Sequence, residues 1–393
     1  MMKYRKFGKL DWQVSALGFG AMRLPVIDRN PNNIDEPLAI SMLRYAFDHG
    51  VNYVDSAYGY HGGNSERVVG KALKDGYREK VKVATKFPVW MLQTADDYDR
   101  ALDEQLKKLQ TDKIDFYLFH GLAKSRWEKI RELKVLTRAE RAVADGRIGH
   151  IGFSFHDSYD AFKEILDGYD NWTMCQVQYN YMDIDIQAGT KGVEYAAKKG
   201  LAVVVMEPLR GGRLSNPPEP VTKVWENFKP KRSAVEWALQ WVWNQPEITL
   251  ALSGMSTMEQ VVENVEIAGR SSVGILKKKE LALYDRIRDA YKGLCPIPCT
   301  GCRYCMPCPN GVEIPRIFEM YNEAMMYNQP AMGRAMYRGG RGLTPDQQAD
   351  KCIECDTCVE LCPQKIEIPD WMKKVHAFLG PPPPKPDAPK PAA

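Results

Sequence analysis

The sequence lacks any apolar run long enough to cross a membrane, since no stretch of its 393 residues approaches about 18 consecutive apolar positions. Its first residues, MMKYRKFGKLDW, carry charges without the apolar segment of a signal peptide. Basic runs interleaved with aromatic residues are absent too, and the formal net charge is only +4. We therefore expect a cytoplasmic protein that binds neither a membrane nor nucleic acid.

Cysteine is nearly absent from most of the chain and is then concentrated near its end. Cys175 stands alone, whereas the other nine of the ten cysteines lie between Cys295 and Cys362. A secreted protein rich in disulfides would need an export signal, which the sequence does not show. The clustering therefore indicates bound metal.

Eight short apolar runs rich in β-branched residues recur along the chain, with helical stretches between them. These runs begin at Ser15, Val51, Val81, Ile114, His150, Cys175, Leu201 and Thr249. Strand–helix alternation repeated eight times predicts an α/β fold, the (β/α)8 TIM barrel. The rival is a doubly wound sheet, which should carry a G-x-G-x-x-G turn after its first strand, and GFGAMR lacks the third glycine.

We place the barrel in residues 1–290. A second, mainly helical domain with the cysteines is expected in residues 291–380, and a proline-rich tail without a catalytic role in residues 381–393.

Polar residues end three consecutive runs, which matters because the active site of such a barrel lies at the C-terminal ends of its strands. Asp55, Lys86 and His120 close the second, third and fourth runs, and Tyr60 follows Asp55. A tyrosine pKa of about 10 is high for a general acid, but a lysine cation lowers it and an aspartate can hold the lysine. The four residues together predict a proton-transfer site.

These segments resemble the aldo-keto reductase superfamily. NYVDSAYGYHGGNSE is similar to its D-T-A-x-x-Y-G signature, VATKF to its lysine strand and DKIDFYLFH to its histidine strand. GRIGHIGFS and ENVE resemble further family segments, so the resemblance covers residues 1–285 or thereabouts, in order. It implies an enzyme that reduces a small carbonyl substrate, or oxidises an alcohol, with a nicotinamide cofactor, NAD(P)H.

The resemblance also implies a role for each residue. Tyr60 would donate the proton to the carbonyl oxygen, Lys86 would tune Tyr60, Asp55 would hold Lys86, and His120 would orient the carbonyl. The implied cofactor contacts are Ser154 and Gln176 for the carboxamide, Met206 for the nicotinamide ring, Leu209 and Gly211 for the pyrophosphate, and Glu263 and Asn264 for the adenine.

Some positions depart from the family pattern. Phe155 stands where the family usually has asparagine, and Met206 where it has an aromatic residue. Gly254 and Gln260 occupy the places of the basic residues that bind the 2′-phosphate of NADP in many members. The choice between NAD and NADP therefore stays open, and so does a different cofactor such as a flavin.

Two cysteine runs near the C-terminus are internal repeats. Each ends in the segment C-P-x-x-[VI]-E-I-P, whose cysteine is the fourth of the run, and the runs are offset by 53 residues at three cysteines and by 54 at the fourth. The second has the C-x2-C-x2-C-x3-C-P spacing of bacterial iron–sulfur sites. Two [4Fe–4S] clusters are therefore predicted. The first run is Cys299, Cys302, Cys305 and Cys308, and the second is Cys352, Cys355, Cys358 and Cys362.

In two-cluster ferredoxins the fourth cysteine of each run ligates the other cluster. If that holds here, Cys362 joins the first run and Cys308 joins the second. A structural zinc site is the alternative, but zinc takes four ligands, usually in paired C-x2-C units.

Four further residues of chemically active types are expected to have no catalytic role. We expect Cys295 to be a spare thiol and Cys175 a buried small hydrophobe, and we expect His61 and His156 to be structural.

The whole chain resembles the subgroup of bacterial and archaeal aldo-keto reductases with a C-terminal ferredoxin-type domain. Our leading hypothesis is carbonyl reduction coupled to electron transfer through the clusters, with a ferredoxin or another redox partner. One alternative is an electron-transfer protein whose barrel binds flavin or docks a partner, and another is that the clusters are only structural. Nicotinamides move electron pairs whereas each cluster takes one electron, so a flavin intermediary stays open.

Overall fold

The computed structural model describes residues 1–339 and 342–382. The predicted proline-rich tail at 381–393 lies, beyond Pro382, outside the described residues. No helix in these two ranges is both long and apolar enough to span a bilayer.

Eight parallel strands close into a barrel in the order β10-β3-β4-β5-β6-β7-β8-β9, and a two-stranded antiparallel hairpin, β1–β2, precedes them. The predicted (β/α)8 barrel is therefore confirmed, and each of the eight predicted runs overlaps one barrel strand. The strands are β1 (Tyr4–Lys6), β2 (Gln13–Ser15), β3 (Leu17–Gly20), β4 (Tyr53–Asp55), β5 (Lys82–Phe87), β6 (Ile114–Leu122), β7 (Ile148–Phe155), β8 (Met174–Gln178), β9 (Ala202–Met206) and β10 (Ile248–Ser253).

Helices follow the strands, with several extra helices in the loops and in the C-terminal part. They are α1 (Glu36–Asp48), α2 (Ser65–Ala72), α3 (Asp96–Leu109), α4 (Lys124–Glu132), α5 (Val135–Ala144), α6 (Tyr159–Asp167), α7 (Gly189–Lys198), α8 (Glu219–Trp225), α9 (Ala234–Trp243), α10 (Met258–Gly269), α11 (Lys278–Lys292), α12 (Ile314–Met326), α13 (Pro330–Tyr337), α14 (Thr357–Glu360) and α15 (Ile368–Leu379). Short 3-10 turns include Tyr60–Gly63 and Arg210–Gly212.

The interior of the barrel is filled by side chains from alternate strand positions, which is how such barrels form a packed core. Tyr53, Phe116 and Leu250 lie in this inner cluster. Phe7, from the turn between β1 and β2, packs on Phe116 with ring centroids 4.6 Å apart. The hairpin therefore adds an aromatic residue to the core. We did not predict the hairpin, because its strands have only three residues each and are too short to show a periodic pattern in the sequence.

One inward position requires glycine because the interior is so tightly packed. A Cβ added at Gly18 would lie 2.8 Å from side-chain atoms of both Leu250 and Leu252. A larger residue there would force the inner cluster apart, and overpacking of a core is destabilising. A second and larger apolar cluster contains residues of both strands and helices, and it packs the helices against the barrel.

The chain divides into two compact units. One comprises Met1–Ser215 and Arg232–Leu281, and the other comprises Asn216–Lys231 and the described residues from Ala282 onward. The second unit has its own apolar core, which includes Ile317, Phe318 and Val375. The boundaries at 290 and 380 that we gave from sequence stay a proposal.

The internal repeat of the cysteine region has a structural counterpart. Helices α12 and α15 both begin at an Ile-Pro pair, and a glutamate with similar backbone angles precedes each, Glu313 (φ −84°, ψ 68°) and Glu367 (φ −72°, ψ 78°). Proline suits the first turn of a helix because its missing N–H would have no partner there. Each cysteine run therefore leads into a helix that starts in the same way.

Candidate active site and cluster-binding cysteines

The four predicted catalytic residues come together at the C-terminal ends of β4, β5 and β6. The ammonium group of Lys86 donates hydrogen bonds to Oδ1 of Asp55 at 2.6 Å and to the carbonyl of Ser56 at 2.7 Å. The Lys86 and Asp55 side chains are only 1% and 3% exposed. Lys86 also lies 5.1 Å from the centre of the Tyr60 ring. The ion pair is thus buried directly beneath the tyrosine.

Tyr60 and His120 face each other across this mouth, with ring centroids 6.0 Å apart and the rings nearly perpendicular. Burial and the charge of Lys86 lower the pKa of His120 to about 3. The imidazole is therefore neutral at physiological pH. Its Nδ1 atom is buried and has no hydrogen-bond partner among the described residues.

The pKa of Tyr60 differs from the expectation. Burial raises the pKa of Tyr60 above its ordinary value, and the Lys86 cation lowers it but does not outweigh burial. Burial acts to lower the pKa of Lys86 itself, but Asp55 and Tyr60, through their charges and hydrogen bonds, together raise that pKa above its ordinary value. Tyr60 therefore keeps its proton at neutral pH and Lys86 keeps its charge, so the expected net lowering of the tyrosine pKa is not found.

Two predicted carboxamide contacts are neighbours across β7 and β8, where Ser154 and Gln176 are paired in register. The backbone N–H of Gly121 donates to Oγ of Ser154 at 2.7 Å, so the serine keeps its own hydroxyl proton for another acceptor. Oε1 of Gln176 is buried without a partner among the described residues. A free donor and a free acceptor side by side are what a primary amide requires.

The other predicted cofactor contacts lie at the end of β9, on the loop that follows it, and in helix α10. Met206 ends β9, Leu209 precedes the turn Arg210–Gly212, and Gly211 has a left-handed φ of 67°. Glu263 instead accepts a hydrogen bond from Ser233 at 3.0 Å, and the buried Asn264 donates to Ser253 at 2.8 Å. The structure therefore gives this last pair partners within the protein.

Residues that we did not predict also border the site. Trp90 is 51% exposed, and its ring centroid lies 5.1 Å from that of His120. Asp183 is buried and accepts from Nε of Arg210 at 2.9 Å, which ties the loop after β9 to the loop after β8. In the sequence, only their positions after the end of a predicted strand could have pointed to these two residues, and many surface residues occupy such positions.

His61 and His156 have structural partners. The backbone N–H of Leu24 donates to Nε2 of His61 at 3.2 Å, and Nδ1 of His61 lies 2.6 Å from the carbonyl of Pro31. Nδ1 of His156 lies 3.2 Å from Oε1 of Gln187. Burial raises the pKa of the Cys175 thiol to about 12, which agrees with its interpretation as a small hydrophobe.

The cysteines of the second unit surround two cavities. Cys299, Cys302, Cys305 and Cys362 line one of them. Cys308, Cys352, Cys355 and Cys358 line the other, together with Cys305. The fourth cysteine of each run therefore lies with the first three of the other run.

The thiols lie around these cavities without converging on a point. In the described part of the chain, no group of three or more His, Cys, Asp or Glu side chains is placed to hold one metal ion. A cluster of several iron and sulfide atoms is larger than a single ion and holds its thiolate ligands further apart. The hydroxyl of Thr357 donates to Sγ of Cys355 at 3.6 Å, and this bond lowers the pKa of that thiol.

Comparison with known proteins identifies a family for most of the chain. Residues 16–288 match the model of the Aldo/keto reductase family. The chain belongs to this family. It is therefore an oxidoreductase, and its residues 298–367 match the 4Fe-4S dicluster domain.

Relatives of this aldo/keto reductase include enzymes from plants and bacteria. It is 32% identical over 217 residues to "Probable aldo-keto reductase 1" of Glycine max, a match that covers 53% of this chain and only 59% of the soybean protein. It is 26% identical over 312 residues to the "NADH-specific methylglyoxal reductase" of Escherichia coli (strain K12), with 67% of this chain and 93% of that protein covered.

Solved structures share the fold. The holo form of an aldo-keto reductase from Bacillus halodurans matches with a TM-score of 0.61 and 26% identity. The match covers 73% of this chain and 96% of that one.

Proposed function

We propose that this aldo/keto reductase reduces a small carbonyl compound with a nicotinamide cofactor and exchanges electrons with two [4Fe–4S] clusters in its second unit. The observation that carries the catalytic half is the buried Lys86–Asp55 pair beneath Tyr60, with the neutral His120 opposite. The observation that carries the cluster half is the division of eight cysteines between two cavities.

The residues fit a proton-transfer role in this reaction. When bound, a reduced nicotinamide supplies hydride to the carbonyl carbon. Tyr60 then donates its phenolic proton to the carbonyl oxygen, which gives the alcohol. The Lys86 cation stabilises the phenolate left behind, and Asp55 keeps that cation in place. His120, neutral because of its lowered pKa, orients the carbonyl by a hydrogen bond.

The residues around β7 and β8 fit the carboxamide of the cofactor. Ser154 has a hydroxyl proton to give, and Gln176 has a buried oxygen that lacks a partner among the described residues. Leu209 and Gly211 are proposed to face the pyrophosphate. Glu263 and Asn264 are proposed to face the adenine, although their side chains already bond to Ser233 and Ser253.

NADH is the cofactor that we favour. Gly254 and Gln260 offer no cation to a 2′-phosphate, and the relative from E. coli is named NADH-specific.

For the clusters, we propose that the fourth cysteine of each run ligates the cluster held by the first three cysteines of the other run. Electrons would pass through the clusters to a redox partner such as a ferredoxin, with a flavin as the candidate intermediary.

Replacement of Tyr60 by Phe tests the catalytic assignment. We expect carbonyl reduction to fall by roughly 10²- to 10⁴-fold, the usual contribution of a general acid. The dissociation constant for NADH and the iron content should not change, because neither depends on the phenolic proton. Turnover at the wild-type rate would show that Tyr60 is not the proton donor.

Coupling between the barrel and the clusters needs a separate test. Anaerobically purified protein with a full iron and sulfide count is treated with NADH and then NADPH, while EPR and visible bleaching report the clusters. Reduction by either nucleotide supports coupling. Clusters that only dithionite reduces would contradict coupling while leaving the carbonyl reductase assignment intact.

A further inference from the structure

The two cysteine runs repeat each other in their cysteines but not in the charge of the residues between them. In the first run the only charged residue between the outer cysteines is Arg303, which forms an ion pair with Glu313 at 3.3 Å. The second run carries three acids in the same stretch, namely Glu354, Asp356 and Glu360. The shared cysteines follow from a shared kind of cluster, so the reversed charge must reflect what each run meets outside its cluster.

Exposed apolar side chains distinguish the two cavities as well. The second cavity is the one lined by Cys308, Cys352, Cys355 and Cys358. Ile353 and Leu361 also line it, and they are 61% and 51% exposed. At the first cavity the polar Thr300 takes the repeat position of Ile353, and among the described residues no exposed large apolar side chain lines that cavity. Exposed apolar residues gathered at one functional site are typical of a contact surface.

The acids next to these apolar residues leave a net negative charge. Glu354 is neutralised by Lys373 at 2.6 Å. Asp356 and Glu360 are exposed, and neither has an ion-pair partner within residues 1–339 and 342–382. Glu360 directly precedes Leu361 in the chain. We call the surface made by Ile353, Asp356, Glu360 and Leu361 the acidic face.

The acidic face lies where a bound cluster would come close to solvent. Cys355 is exposed and stands between Ile353 and Asp356 in the chain, separated from Ile353 by one residue. Electron transfer weakens steeply with the distance between two redox groups, so a partner has to dock where a cluster is near the surface. Cys302 of the first run is exposed too. Exposure of a ligand therefore does not choose between the clusters, but the acidic and apolar character of the surface does.

We propose that a one-electron redox protein with a basic docking surface binds the acidic face and exchanges electrons with the cluster of the second cavity. The inference rests on the proposed clusters and gives the chemistry of their partner. One electron passes from the reduced cluster to the oxidised partner, and no bond forms or breaks. Opposite charges steer the partner to the face, and the apolar pair adds contact area.

The small size of the acidic face fits this occupant better than a second copy of the chain. Complexes that transfer electrons are transient and have small interfaces, whereas stable dimers bury a large apolar area. Two exposed apolar side chains suffice for the first kind of contact and are too few for the second.

The test uses a basic cytochrome c as the probe and an acidic plant-type ferredoxin for comparison. Calorimetry on the oxidised full-length protein gives dissociation constants at low ionic strength, where the cytochrome should bind more tightly than the ferredoxin. Stopped-flow mixing of dithionite-reduced protein with oxidised cytochrome gives the second-order rate constant. In the double variant Asp356→Asn with Glu360→Gln, this rate constant should fall about tenfold and depend less on salt. Asparagine tolerates the left-handed φ of 59° at position 356.

The apolar pair and a matched control complete the set of variants. Ile353→Thr with Leu361→Thr should raise the dissociation constant for cytochrome c about tenfold. Tyr304→Thr is the control, because Tyr304 is 66% exposed in the first run, lines neither cavity and takes the residue found at the repeat position 357. It should bind and react like the wild type. All variants should keep the wild-type iron content, and a small uncharged quinone should oxidise all of them at the same rate.

Each other outcome contradicts the inference in its own way. If both double variants bind and reduce cytochrome c like the wild type, the acidic face is not the docking site, while reduction of the clusters by NADH would still support the proposed function. If oxidation by the quinone slows in parallel, these side chains act on the cluster and not on docking. If ultracentrifugation finds a dimer that Ile353→Thr with Leu361→Thr dissociates, a second copy covers the face. If the wild-type protein binds no iron and sulfide, the proposed clusters fail and the inference fails with them.

Discussion

Lys86 and Asp55 form an ion pair that is almost wholly removed from water. Such a pair gives little net stability, because the cost of burying two charges offsets their attraction. Its value here is positional, since it places a cation below the phenol of Tyr60. Removing one partner does lower the stability, because the other charge then stays buried without a counter-charge.

Lys86→Met should therefore destabilise the barrel by about 3–5 kcal/mol. Adding Asp55→Asn to that variant should recover much of the loss, since no isolated carboxylate remains. Urea unfolding at neutral pH, followed by tryptophan fluorescence, measures both. If the single and double variants were equally stable, the buried charge of Asp55 would not be destabilising in the absence of Lys86. Both variants should lose carbonyl reduction.

His120 makes the stability of the fold depend on pH. Its pKa falls from 6.5 in an ordinary environment to about 3 in the folded protein, chiefly through burial. Below pH 6.5 the unfolded chain binds a proton at this residue that the folded chain does not bind, so stability falls as the pH falls. Between about pH 7 and 5 the wild type should lose ~2 kcal/mol more than His120→Asn. Parallel pH profiles for the two proteins would contradict the burial of a neutral imidazole.

At the scale of elements, the sequence predicted the eight barrel strands because each is a continuous buried run bounded by polar residues. The same logic placed Asp55, Lys86 and His120 at the mouth of the barrel, since the C-terminal parts of the strands lie there. It could not locate Trp90 or Asp183. Their roles depend on which loops fold over the rim, and loop sequences carry no period from which that could be inferred.

Asp183 anchors the loop that is proposed to hold the pyrophosphate. It is buried, and besides Arg210 it accepts hydrogen bonds from Gln178 at 2.8 Å and from Asn180 at 3.0 Å. Arg210 lies between Leu209 and Gly211, so the contact fixes the turn in which both occur. The loop after β9 therefore depends on an acid from the loop after β8.

Asp183→Asn should weaken NADH binding by roughly tenfold, because a charged hydrogen bond that orders the loop is lost. The rate of the chemical step at saturating cofactor should change little. Asp185→Asn is the matched control, since Asp185 is exposed two residues further along. Stopped-flow measurement of cofactor binding and of single turnover separates the two effects. A lower rate of the chemical step with unchanged affinity would place Asp183 in catalysis instead.

At the scale of the whole molecule, one chain combines an aldo/keto reductase barrel with a 4Fe-4S dicluster domain. In two-cluster ferredoxins the fourth cysteine of each run ligates the other cluster, and the two cavities of this chain group the thiols in the same way. Cys305 borders both cavities, so the two proposed clusters would be neighbours. Neighbouring clusters suit the passage of single electrons.

Paired cysteine variants test the crossed ligation by iron counting. Cys299→Ser with Cys362→Ser alters one cavity only, so we expect about four iron atoms to remain, those of one [4Fe–4S] cluster. Cys299→Ser with Cys308→Ser alters both cavities and should leave almost no iron. If each run instead ligated its own cluster, the pair Cys299→Ser with Cys362→Ser should leave almost no iron, and the pair Cys299→Ser with Cys308→Ser should leave about four iron atoms. The two outcomes therefore differ by a whole cluster, and anaerobic iron and sulfide analysis with EPR of the reduced proteins distinguishes them. A structural zinc site would instead give zinc without sulfide in every variant that binds metal.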